Sequence, residues 1–178
     1  MPSPFDLLAF WREAGPGRWF RQDAAFDADF RRRFLVAHEA AVAGDLAGWA
    51  ENAQGALALV LLLDQFPRNA FRGTPRMYAS DALARTAADA ALARGFDAQV
   101  EEPLRQFFYL PFMHSEQLPD LERCVLLNGG LGGESLRYAL HHRDIVRRFG
   151  RFPHRNAVLG RPSTPAEEDF LASGGFGG

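Results

Sequence analysis

The sequence predicts an all-α fold, a single-domain array of antiparallel helical hairpins. Three observations predict it. Apolar residues recur at the three- and four-residue spacing of a helix face, and the segments so marked begin on helix caps. No stretch sustains the period-two alternation of β-branched residues, and no Asn-Gly or Asp-Gly signal lies between candidate strands.

Taken in order, Ser3-Pro4-Phe5-Asp6 supplies a capping hydroxyl, a proline at the first helical position and a first-turn carboxylate, and Gly15 closes that helix. Further helices are expected near 26–43, 53–65, 75–94, 100–109, 115–127 and 134–149. Phe26, Phe30 and Phe34 are spaced by four and share one face. The intervening Arg31-Arg32-Arg33 then reads as a solvated face, with a phosphate-binding patch as the alternative. Ala56 to Leu63 is the longest apolar run. It is far short of the roughly 18 residues that span a bilayer, and reads as the central buried helix, halted by Pro67. Gly15-Pro16-Gly17 and Asn128-Gly129-Gly130-Leu131-Gly132-Gly133 fit turns between neighbouring helices. Thr164-Pro165-Ala166-Glu167 is a second capping box, before Phe170 and Leu171. The domain is expected to cover 1–173, with 174–178 a flexible glycine-rich tail.

Composition narrows the function classes. The 178 residues carry sixteen Phe and a formal charge of −2, so a phenylalanine-rich core is expected and a surface coated for nucleic acid or anionic membrane is not. All twenty basic residues are arginine. Lysine Schiff-base and P-loop chemistry is thereby excluded, and every fixed cation is a planar guanidinium. The lone cysteine, Cys124, lies in a helical run and reads as a small buried hydrophobe rather than a nucleophile. Without a secretory signal, a cytoplasmic location is expected. No cofactor and no metal are expected: there is no His-Glu-x-x-His pair, and His141 and His142 diverge by about 100° on a helix.

Polar chemistry gathers in two echoing segments, Gln65-Phe66-Pro67-Arg68-Asn69-Ala70 and Phe152-Pro153-His154-Arg155-Asn156-Ala157. Around the first, Asp64, Gln65, Arg68, Asn69, Arg72 and Arg76 follow the most apolar helix. Arginines there either satisfy the last helix carbonyls or converge on a cleft to hold a carboxylate or phosphate. Around the second, His141 to Arg161 holds six Arg and three His against one Asp. That excess calls for an anionic partner or for this chain's own acids, such as Asp64, Asp81 and Glu116. On the 134–149 helix, Tyr138, Ala139, His142, Ile145, Val146 and Phe149 form an apolar arc centred on His142, while Asp144 is placed to pair with Arg148 or His141. His142 reads as a core histidine or as a general acid or base. Pro111-Phe112-Met113-His114-Ser115-Glu116 adds another His and carboxylate, with Ser115 or Glu116 as a helix cap.

Three strings carry a family resemblance. They are Leu61-Leu62-Leu63-Asp64-Gln65-Phe66-Pro67-Arg68-Asn69, then Pro111 to Glu116 as above, and His142-Arg143-Asp144-Ile145-Val146-Arg147-Arg148-Phe149-Gly150-Arg151-Phe152-Pro153-His154-Arg155-Asn156. Together with Arg72-Gly73-Thr74-Pro75 and Pro162 to Glu168, they resemble the bacterial domain-of-unknown-function family nine-twenty-four. The resemblance implies a tetratricopeptide-like helical fold and no established activity, and the glycine-rich 128–133 loop departs from the family pattern.

The leading expectation is a protein that binds an anionic small molecule in an Arg/His-lined cleft, through Arg68, Asn69, Arg72, His114, Arg151, His154, Arg155 and Asn156, with His142 on its border. Two alternatives stand beside it. One is a helical scaffold for a protein or peptide; the other is a hydrolase-like enzyme with His142, His141 or His114 and Asp144 or Glu116 as acid and base.

Overall fold

The computed structural model describes residues 1–177, and these are helical, with no strand among them. Ten α-helices run in order: α1 Pro4–Ala14, α2 Pro16–Trp19, α3 Ala24–Ala43, α4 Ala53–Ala70, α5 Asp81–Ala93, α6 Glu102–Arg105, α7 Leu110–Met113, α8 Leu118–Gly129, α9 Gly133–Phe149 and α10 Pro165–Ala172. Short 3-10 turns link several of them, including Pro75–Tyr78 and Pro153–Arg155. Residues cluster into two compact units, Met1–Arg72 with Arg76–Pro111, and Gly73–Pro75 with Phe112–Gly178.

The first unit is built on α4, which packs on α1, α3 and α5. Sixteen of its eighteen residues are buried, as an apolar run with almost no polar face demands. Phe26, Phe30 and Phe34 are buried as their spacing predicts, and all three stack or tilt against Phe10 of α1. Arg31, Arg32 and Arg33 are spent locally: Arg31 donates to the Ala70 carbonyl, and Arg32 and Arg33 pair with Asp29. At the start of α4 the backbone of Trp49 comes so close that a Cβ on Gly55 would lie 2.1 Å from the Trp49 carbonyl oxygen. Only glycine fits there.

Pro67 does not halt α4, which continues to Ala70. A proline in a helix has no N–H for the carbonyl four residues back, here that of Leu63. The Ser80 hydroxyl donates to that carbonyl instead, at 2.6 Å. His38 Nδ1 lies 2.9 Å from the Leu62 carbonyl, and Arg68 donates to the Asp64 carbonyl at 2.8 Å. Side chains thus complete the turn that the proline opens, which is why the helix survives it.

In the second unit α8 packs on α9. Leu121, Ile145, Val146 and Phe152 form its core, with Phe149, Phe170 and Phe176 packed against it. Both capping boxes form as expected, on Ser3 for α1 and on Thr164 for α10. One expectation is corrected here. Neither Ser115 nor Glu116 caps α8, which starts after Gln117; Ser115 bonds Asp120, and Glu116 turns to Arg161. After α10, Gly175 N–H donates to the Phe170 carbonyl at 2.9 Å, and the partly buried ring of Phe176 packs against the second core. Gly178 lies outside the described residues.

Candidate functional site

The two echoing segments differ in local structure. The first is the closing turn of α4, with its proline inside the helix; in the second, Pro153 opens a 3-10 turn.

The first segment forms a buried charge cluster. Arg68 clasps Asp81 through both terminal nitrogens, at 2.8 and 3.1 Å, and lies 3.2 Å from Asp64. Gln65 donates to the other oxygen of Asp64 at 2.7 Å. Burial opposes the Arg68 charge, but the two carboxylates overcome it and hold the guanidinium above its ordinary pKa. Asn69 and Arg72 both donate to Asp27 on α3. Every polar group that the sequence marks here meets a partner from the same unit, which is the use of arginine that fastens helix ends.

The second segment is knit just as closely. Arg161 clasps Glu116 at 2.7 and 2.9 Å, and Glu116 also accepts the Phe152 N–H at 2.8 Å. Burial works to raise the Glu116 pKa, but Arg161 and that N–H bring it below the ordinary value. Arg151 clasps Glu167 at 2.6 and 2.8 Å. Glu167 accepts further hydrogen bonds from Thr164 N and Asn156, and its pKa falls to about 2, with Arg151 the largest cause. Arg155 donates to the His114 carbonyl and lies over the Phe152 ring. Asp144 pairs with its neighbour Arg143 at 2.8 Å and reaches Arg147 only at 4.0 Å. The expected pairing of Asp144 with Arg148 does not form, because Arg148 instead lies over Phe149 and Phe170.

His142 and His154 sit at the edge of the second core. His142 is buried, with Nδ1 2.8 Å from the carbonyl of Tyr138 one turn earlier, and its ring contacts Phe152 and Phe176. Burial is the main cause of a pKa pushed down to about 3. His154 is pushed down to about 4, first by burial and then by Arg155, and its Nδ1 is buried with no hydrogen-bond partner. Among the described residues no group of three His, Cys, Asp or Glu side chains could hold a metal ion. Cys124 is fully buried, its thiol pushed up to about 12 by burial, which suits the core role expected of it.

A cleft of about 460 Å³ on this unit is lined by Arg148, Phe149, Arg151, Thr164, Ala166 and Glu167. It brings the last turn of α9 against the N-terminus of α10. Of the residues marked by the sequence only Arg151 lines it. Arg148 was missed as a site residue because an acid four positions earlier on its helix offered a ready local partner.

A model of the family described as bacterial protein of unknown function, DUF924, matches residues 7–175. The chain belongs to this family. A similar solved structure is that of a protein of unknown function from Agrobacterium tumefaciens. It is 55% identical, with a TM-score of 0.94 over 96% of this chain and 97% of that one. No curated protein matches. The family's function is therefore unassigned, and the all-α architecture is common to both proteins. Among the described residues no helix is long and apolar enough to cross a membrane.

Proposed function

We propose that this family member binds a small organic monoanion, a carboxylate with an apolar body, in the cleft between the end of α9 and the start of α10. The observation that carries this reading is Arg148, an exposed guanidinium at the cleft with no carboxylate partner among the described residues. Charge selects the ligand class. Arg151 and Glu167 neutralise each other, so the lining carries a single unbalanced positive charge. Phe149 and Ala166 offer the apolar wall of this shallow, open cleft. The wider set expected from the sequence narrows accordingly, because Arg68, Asn69, Arg72, Arg155 and Asn156 are engaged in internal hydrogen bonds. With His142 against its own helix carbonyl, the acid–base alternative gains no support from its geometry.

Calorimetric titration with benzoate and with inorganic phosphate tests the reading. Saturable benzoate binding, weakened about tenfold or more in Arg148→Gln and unchanged in Arg123→Gln, is expected; a charge-assisted hydrogen bond of ~1.5–3 kcal/mol sets that scale. Absence of benzoate binding, or equal binding by Arg148→Gln, would refute it.

A further inference from the structure

We propose that residues 174–177 form a strap whose Phe176 ring closes over a histidine-lined recess at neutral pH and lifts away in mildly acidic solution. The inference is independent of the anion cleft.

The geometry is that of an anchor on a tether. Gly174, at φ 82°, turns the chain out of α10, and Phe176 is flanked by Gly175 and Gly177. The Phe176 ring meets three imidazoles nearly edge-on, with centroids 4.6 Å from His142, 5.1 Å from His154 and 5.8 Å from His141. Beneath it lies the core of Leu121, Ile145, Val146 and Phe152.

The charges around the recess decide the direction of the switch. On α9 itself stands His141; after α7 come His114 and Glu116; the 3-10 turn supplies Arg155, and the segment leading into α10 supplies Arg161. Glu116 is the one acid among these groups, and it is already clasped by Arg161. A proton added to His142 or His154 therefore enters a crowded positive field. His154 Nδ1, buried without a hydrogen-bond partner, offers that proton no acceptor.

Burial is the first cause of the lowered pKa of both rings, about 3 for His142 and about 4 for His154, so uncovering them returns each toward the ordinary 6.5. Each imidazole neutral under the strap and charged when free shifts the closing equilibrium roughly tenfold per pH unit below 6.5. Two shift it roughly a hundredfold. Partial burial of the Phe176 ring favours closure by a factor on the order of ten to a hundred at most. The two effects balance between about pH 5.5 and 6, roughly half a unit to one unit below 6.5.

A nitroxide attached to Gly177→Cys in the full chain reads the strap directly, since the buried Cys124 thiol stays unlabelled. A slow spectral component at pH 8 should convert to a fast one with a midpoint between about pH 5.5 and 6, while helical circular dichroism stays unchanged. Adding Phe176→Ala should give the fast component at every pH. Adding His142→Gln or His154→Gln should make the transition shallower and move it to lower pH. The proposal is overturned by a spectrum constant from pH 8 to 5, by a transition that coincides with loss of helix, or by one that neither histidine variant alters.

Discussion

Replacing Arg68 by methionine tests whether the first polar cluster is a structural clasp. Arg68→Met removes two hydrogen bonds to Asp81, one to the Asp64 carbonyl and the ion pair with the Asp64 carboxylate. The side chain of Asp64 is only 1% exposed and that of Asp81 11%, so water does not replace the lost cation. Breaking a buried pair by removing one partner costs roughly 3–5 kcal/mol, out of the roughly 5–15 kcal/mol that holds a domain folded. For a chain of this size that lowers Tm by about 6–20 °C. In Arg76→Met the lost partners are Glu39, both side chains being 53% exposed, and the Phe71 ring 3.9 Å beneath the guanidinium, and the cost stays below about 2 kcal/mol. The pH dependence sharpens the test. Carboxylates left buried without their cation titrate above their ordinary values in the folded state, so that state binds more protons than the unfolded chain and Arg68→Met regains stability as pH falls from 8 to 5. Urea denaturation across that range measures both quantities. A loss under about 1 kcal/mol, or a variant whose stability falls with acid as steeply as the parent's, would refute the clasp.

Two further outcomes follow from the first unit. His38 is buried against Phe66, and burial holds its pKa below the ordinary 6.5. A lowered folded-state pKa means that the unfolded chain takes up the proton first, so the stability that neutral His38 confers is full above pH 6.5 and is lost as pH falls below it, by up to about 1.4 kcal/mol per unit. His38→Gln should flatten the urea-derived slope by about one proton in that window; an unchanged slope would exclude the assignment. Gly55→Ala should cost about 1–3 kcal/mol or more by overpacking, since its Cβ meets backbone oxygen rather than a movable side chain. A thermal midpoint within about 2 °C of the parent would show that the Trp49 backbone yields.

What was legible in the sequence was what is encoded locally. The capping boxes at Ser3 and Thr164 are written within four residues, and the Phe26, Phe30, Phe34 face within nine, so each appears in the fold as expected. Pro67 misled because the groups that rescue its turn lie far away in the chain, Ser80 thirteen residues on and His38 twenty-nine back. Asp144 misled for a related reason: helical spacing offered Arg148, but the neighbouring Arg143 took the carboxylate, leaving Arg148 to its aromatic neighbours. The arginine excess between His141 and Arg161 left an anionic partner and this chain's own acids both open; three of its six arginines, Arg147, Arg151 and Arg161, meet acids distant in sequence, Arg161 and Glu116 at a separation of 45. Pairing of this kind has no periodic signature.

The interrupted turn of α4 bears on how the first unit assembles. The Leu63 carbonyl, which Pro67 leaves without an N–H, finds its partner when the segment before α5 delivers Ser80, and the Leu62 carbonyl gains His38 from α3. A peptide spanning α4 alone would fray from Leu63 onward, leaving Asp64, Arg68 and Asn69 unordered. The turn bearing those charges is thus completed by a residue outside its own helix, and the proline makes the end of α4 depend on the segment that follows it.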